Sequence, residues 1–283
     1  MKRVAALALL IISSFLLCTA QQKEKRLPGT FLIYGPVHTI RDERVTVTVK
    51  NGQMVEGART LVQTITYSED GTKQERTLYL PNSSQPHKIV DLYNTDGKII
   101  ETTRFNPNGT VQTKEVINYD DQKRPIERIS YWPDGVVMIR QTFSYNGNKR
   151  ISQSTSYKRD GTIWVTGTAT TDVPTNKTEI LSYGPDRVTR SDISVTRTPE
   201  GGNLFERQTN GNFEQREKII PFGKSGNERI QYNVDGTIRS RERTTVEVDS
   251  HGNFVKITRL VAKSDSEEFE PIEITYRTIE YYK

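Results

Sequence analysis

Residues Tyr93–Lys123 read YNTDGKIIETTRFNPNGTVQTKEVINYDDQK. Three turn clusters punctuate this stretch: Tyr93-Asn-Thr-Asp-Gly97, Phe105-Asn-Pro-Asn-Gly109 and Tyr119-Asp-Asp-Gln-Lys123. Between them lie runs rich in Thr, Val and Ile, residues that suit a pleated, half-buried surface. Asp-Gly or Asn-Gly after two turn residues predicts a tight hairpin with a bulge, because Gly takes the positive φ at least cost. Lys123 stands where Gly stands elsewhere, so its turn must differ or carry strain.

Working outward, the first and third clusters begin a series with a step of 26 residues: Tyr67, Tyr93, Tyr119 and Tyr145. A second series interleaves with the same step: Tyr79, Phe105, Tyr131, Tyr157 and Tyr183, the last four followed by turn residues such as Trp132-Pro-Asp-Gly135. Lys149 and Arg187 again replace a turn Gly. The spacing predicts strands of roughly eight residues, about 27 Å long, two per repeat. The period continues in weaker form through later turns such as Arg197-Thr-Pro-Glu-Gly201, then Tyr232-Asn-Val-Asp-Gly236 and Val248-Asp-Ser-His-Gly252.

The expected fold class is all-β: a long antiparallel hairpin meander of about 18 to 20 strands, curled into a superhelical or barrel-like sheet, because so long a twisted meander does not stay open. Residues 31–258 form the repeat domain in this reading, and 259–283 a closing C-terminal hairpin bent at 264–268.

Residues 1–20 read as a signal peptide, with Lys2 and Arg3 ahead of an apolar run and Cys18-Thr19-Ala20 as a small-x-small site. Residues 21–30 read as a flexible segment. A lipoprotein reading uses Cys18 as the modified residue; cleavage after Ala20 instead removes this one cysteine and with it any disulfide or thiolate metal site. It also leaves 38 basic residues against 35 acidic ones, interspersed in sign, which argues against a nucleic-acid partner. No other stretch is apolar enough for a transmembrane helix. The expected location is secreted, periplasmic or cell-surface.

The Tyr-x-x-Asp-Gly and Tyr-Asp-x-x-x turns resemble those of bacterial YD-repeat (Rhs-type repeat) secreted proteins, over about residues 31 to 258. Large members of that family wrap their repeats into a shell around a toxin. This chain is far shorter and shows no autocleavage segment or toxin domain, so the resemblance implies the fold class and export, not toxin delivery.

Counting in steps of two along and across the hairpins places Tyr79, Phe105, Tyr131, Tyr157 and Tyr183 on one face with Glu75, Glu101, Glu127 and Glu179, and adds Glu115, Ile117 and Tyr119 to it. This face is expected to line an interior, with Gln74, Arg76, Arg128, Ser130, Ser154 and Ser156 facing water. The rings read either as turn-packing residues or as a ligand-contact stripe for sugar or peptide. The Glu column reads as hydrogen-bonded to neighbouring strands or as a cation stripe, and it points to a wet or narrow interior. His38, His87 and His251 read as surface residues. No nucleophile motif, phosphate loop or metal-ligand cluster is legible, so no catalytic residue, cofactor or metal is expected.

These features lead to a non-catalytic scaffold or binding module of the cell envelope or exterior, with a glycan or cell-surface protein as possible partner. The alternatives are an outer-membrane β-barrel and a polysaccharide-active enzyme using the Glu column.

Overall fold

The computed structural model describes residues 33–283 apart from 82, 84, 185–187, 223–225 and 263–267. The expected signal peptide with Cys18, the 21–30 segment, Arg187 and most of the 264–268 bend lie outside the described residues.

The turn chemistry sets the hairpins. In Asn94–Gly97 the Gly97 amide donates to the Asn94 carbonyl and the Asn94 amide to the Lys98 carbonyl, both at 2.9 Å, with Gly97 at φ 71°. Where Thr follows the turn Gly, the preceding carboxylate or amide oxygen accepts from both the Thr amide and its hydroxyl. Asp70–Thr72, Asn108–Thr110, Asp160–Thr162 and Asp235–Thr237 all do this, at 2.6 to 3.1 Å. Lys123 does adopt a left-handed φ of 62°. The Lys149 turn differs as expected: Gly147 takes the positive φ, at 56°, and Asn146 pairs directly with Lys149.

Among the described residues there is no helix, only nineteen strands. The first part of the chain holds β1 (Val37–Lys50), β2 (Gln53–Glu56), β3 (Thr60–Tyr67), β4 (Lys73–Leu78), β5 (His87–Tyr93), β6 (Ile99–Phe105), β7 (Val111–Tyr119), β8 (Pro125–Tyr131) and β9 (Val137–Asn146). The next part holds β10 (Lys149–Tyr157), β11 (Ile163–Asp172), β12 (Lys177–Tyr183), β13 (Val188–Arg197) and β14 (Asn203–Thr209). The last part holds β15 (Asn212–Phe222), β16 (Gly226–Tyr232), β17 (Ile238–Val248), β18 (Phe254–Ala262) and β19 (Phe269–Tyr281).

From β3 to β19 every strand pairs antiparallel with its successor, and β1 pairs with both β19 and β3. The ring is therefore closed: β1 and β3 to β19 make an 18-stranded barrel, and β2 forms a short ribbon with the far half of β1. Closure removes every edge from the ring.

The core is concentrated at the closing seam. Val37, Ile40, Ile65 and Tyr67 pack with Ile33, and with Ile279 and Tyr281 beside them. Next to this cluster Arg277 grips Asp42 through two hydrogen bonds of 2.7 Å, Gln63 donates to the same carboxylate at 2.6 Å, and the guanidinium lies 3.5 Å from the Phe254 ring centroid. Asn253 clasps the entering chain. Its side chain accepts from the Tyr34 amide at 2.7 Å and donates to the Tyr34 carbonyl at 2.8 Å.

The expected face assignment needs correction. Thr102 faces Glu115 and Glu101 faces Val116, so across this hairpin an even-numbered residue meets an odd-numbered one. The neighbouring hairpins repeat the pattern: Glu75 faces Val90, Ile117 faces Arg128, and Glu127 faces Thr142. Residues an even step apart across a turn thus lie on opposite faces, because one residue of register exchanges the two faces of a strand. The inner wall holds Gln74, Arg76, Thr102, Glu115, Ile117, Arg128, Ser130, Gln141 and Phe143. Of these, Gln74, Thr102, Ser130 and Gln141 are buried polar residues. Glu75, Glu101, Glu127 and Glu179 stand on the outer wall.

Candidate functional site

The inner wall carries the first tyrosine series. Tyr93 donates to Gln74 Oε1 at 3.0 Å, while Tyr119 donates to the Ile99 carbonyl and Tyr145 to the Pro125 carbonyl, both at 2.8 Å. Lys98 lies 5.5 Å from the Tyr119 centroid and Arg124, one period on, 4.3 Å from that of Tyr145. Burial pushes the Tyr67 phenol up to about 12 and raises those of Tyr93, Tyr119 and Tyr145. These rings are wall-builders held in a poorly solvated interior.

Toward the opposite mouth the inner wall opens into a cavity of 240 Å³. Trp132, Trp164, Tyr157, Met138 and Ile139 give it an apolar lining, and Arg104, Arg128, Glu115, Ser130, Gln141, Ser154 and Ser156 give it polar groups. Local structure explains why these side chains meet. Trp132 opens the β8–β9 turn, where its carbonyl accepts from the Gly135 amide at 3.0 Å. Ser130 pairs with Ile139 and Tyr131 with Val137, so Met138 is the extra residue of a β-bulge. Ser156 pairs with Val165 and Tyr157 with Ile163, so Trp164 is the extra residue of the next one. A bulge residue is unpaired and its strand bends, which re-aims the side chain.

The cavity's polar groups are unequal. Glu115 accepts from Ser130 at 3.2 Å and lies 3.7 Å from the Arg128 Nε. Arg104 lines the cavity with no ion pair among the described residues. The Trp132 indole N–H is buried and meets no acceptor.

The residues singled out from the sequence do not gather into one site. Tyr79 and Tyr183 are exposed, at 36% and 45%. Phe105 and Tyr131 are half-buried. Phe105 has Lys88 at 5.8 Å from its ring centroid, and Tyr157, beside its bulge, reaches the cavity. The Glu column is the acidic half of an outer ion-pair ladder with a matching basic column. Glu75–Lys88, Glu101–Lys114 and Glu127–Arg140 each lie at 2.8 Å, one period apart, and Glu179–Arg190 at 3.2 Å. Lys73 and Lys88 hold the Glu75 carboxyl below the usual carboxylate range. Glu179 also borders an outer groove of 480 Å³ with Asp192, Glu206 and Lys177. Among the described residues no three metal-ligating side chains come together.

Trp132, Trp164 and Arg104 were not among the sequence candidates. A signal for the first two does exist, because they are the chain's only tryptophans. Each also breaks its repeat column: Trp132 stands between Asn106 and Lys158, and Trp164 follows Gln112 and Met138, all at steps of 26.

No described protein family matches the chain, and no curated protein matches it. Among solved structures, a porin-like protein from Bacteroides uniformis is similar at 11% identity with a TM-score of 0.41, over 86% of this chain and 98% of that one. The TcdB2-TccC3-Cdc42 complex is similar at 11% identity with a TM-score of 0.20, over 76% of this chain and 16% of that one. The Photorhabdus luminescens Tc holotoxin pore is similar at 12% identity with a TM-score of 0.17, over 77% of this chain and 16% of that one. Function has to be read from the barrel's own residues.

Proposed function

We propose that this chain is a non-catalytic binding barrel of the cell envelope or exterior, related in its hairpin repeat to the YD-repeat proteins, and that it takes its ligand in the tryptophan-lined cavity. The observation that carries this reading is the convergence of both tryptophans, from two hairpins, on one concavity of the inner wall. Apolar walls with a few placed polar groups are the usual make-up of a small-molecule site. The apolar leader at residues 1–20 supports export.

The outer-membrane reading has the closed ring and its even strand number in its favour. Against it stands the ladder. Lys88, Lys114 and Arg140 sit within their strands on the outer wall, paired with Glu75, Glu101 and Glu127. In an outer-membrane barrel that wall meets lipid, where an Arg or Lys near the bilayer midplane costs about 2–4 kcal/mol. The same pairs suit a wall that meets water.

The test is a thermal-shift and tryptophan-fluorescence screen of the detergent-free protein against a small-molecule and oligosaccharide collection. The expected result is a monodisperse protein with at least one saturable ligand whose binding is lost in Trp132→Ala and Trp164→Ala. A protein that stays dispersed only in detergent, or ligands indifferent to both substitutions, would overturn it.

A further inference from the structure

If the tryptophan-lined cavity is the binding site, its chemistry also selects the class of ligand. Two of its unengaged polar groups are donors with no acceptor role, Arg104 and the Trp132 N–H. Arg104 is an inner-wall residue, facing Ile89 on one side and Thr113 on the other, and has no ion pair among the described residues. The Trp132 indole N–H is buried without an acceptor. Glu115, the carboxylate of this lining, is already engaged by Ser130 and lies beside Arg128. The buried indole N–H left unpaired is costly, and Arg104 is half-buried with its charge unpaired among the described residues. One acceptor-rich, negatively charged group would serve both donors.

The rest of the lining sets the body of the ligand. Trp132, Trp164 and Tyr157 offer ring faces, and Met138 and Ile139 add aliphatic surface. The volume of 240 Å³ lies just below the range usual for drug-sized ligands, about 300–1,000 Å³. It suits a small ligand of one ring and a short acidic arm.

We propose that the cavity binds a small organic anion with a flat apolar body, of the aromatic carboxylate class, with Arg104 as the carboxylate anchor, the Trp132 N–H as a second donor and Trp164 as the stacking surface. Arg suits this role because its planar donor array matches a carboxylate.

Titration of intrinsic tryptophan fluorescence with 3-phenylpropionate, its neutral counterpart 3-phenylpropanol and methyl glucoside tests this, with wild type, Arg104→Gln, Trp132→Phe and Trp164→Ala compared. Thermal melts check that each variant folds, and Trp132→Phe keeps an aromatic ring while removing the N–H. The acid should bind at least about tenfold more tightly than the alcohol, as a charge-assisted hydrogen bond warrants. Arg104→Gln should erase that preference by weakening the acid alone. Trp132→Phe should weaken the acid by a smaller factor, and Trp164→Ala should weaken acid and alcohol together. Equal binding of acid and alcohol, an Arg104→Gln variant that keeps the preference, or selective binding of the glucoside would overturn the anion assignment while leaving the cavity as the site. Absence of any saturable change with all three probes at millimolar concentration would overturn the assignment, and an empty wider screen would then remove the site itself.

Discussion

The seam where β1 meets β19 and β3, and the hairpin wall from β4 to β12, are both antiparallel sheet, but different interactions hold them. At the seam Val37, Ile40 and Val45 are 0% exposed, Ile274 is 1% exposed, and a bidentate ion pair is sealed between Asp42 and Arg277. Along the wall Tyr93, Ile117 and Phe143 are buried among polar residues, Gln74, Asp91, Thr102, Ser130, Gln141, Ser152 and Ser156, and the ladder of Glu–Lys and Glu–Arg pairs lies outside in water. The difference follows chain connectivity. The wall's connections run from two to eight residues, most of them five, whereas Asp42 and Arg277 are 235 residues apart. Loop closure costs about 0.6 kcal/mol per doubling of length, so roughly six doublings burden the seam with about 3.5 kcal/mol that the wall strands escape. The seam must recover this from tertiary contacts, and dense packing with a desolvated pair is what it has.

The sharpest way to break the comparison is to remove one partner at each place. Asp42→Ala leaves the Arg277 guanidinium buried without its counter-charge, and the expected loss is about 3–5 kcal/mol. Glu101→Ala on the outer ladder should cost less than about 1 kcal/mol, the ordinary worth of an exposed pair. Urea midpoints at constant m-value would check both. Equal losses at the two sites would show that the seam has no special burden.

Most of the wall was legible in the sequence and little of the seam. The Asp-Gly and Asn-Gly clusters carry their own backbone chemistry, so residues such as Asp70, Asn108 and Asp160 announce a hairpin without reference to anything distant. Closure rests on Asp42 and Arg277, which look like any other charged residues until β1 and β19 are side by side. The face error has a similar origin. Alternation holds within a strand, but the pairing offset at each turn decides which face continues on the next, and that offset is set in three dimensions. Trp132 and Trp164 escape a reading by period for a further reason: they depart from the columns that repeat.

Acid should act on the hairpin turns. Ser68 and Thr72 hold the Asp70 carboxyl down at about 2, and Thr162 and Thr237 likewise lower those of Asp160 and Asp235. A carboxyl depressed in the folded state stabilises the fold above its unfolded value, near 4, and loses that contribution as pH falls through the folded value. Stability should therefore decline between pH 4 and pH 2. An Asp70→Asn, Asp160→Asn, Asp235→Asn triple variant should show a shallower decline over the same window. Parallel urea-midpoint curves for the two proteins would remove the turns from the explanation.

The most local contrast lies between two turns. Lys123 holds a left-handed φ of 62° where Gly97, one period earlier, holds 71°. A Cβ added at Gly97 would meet nothing within 4 Å, so Gly97→Lys should cost only the backbone penalty, about 1–2 kcal/mol. Lys123→Gly relieves the same strain but also removes the Lys123–Asp96 ion pair and loosens the unfolded chain, each worth up to about 1 kcal/mol. The expected net gain is therefore under about 1 kcal/mol, smaller than the loss at Gly97. The turns are equivalent by period, so the asymmetry between the two exchanges measures what the Asp96 pair and the chain entropy contribute. A Lys123→Gly variant clearly less stable than wild type would mean that the cross-turn pair, and not the backbone, sets the energy of this repeat.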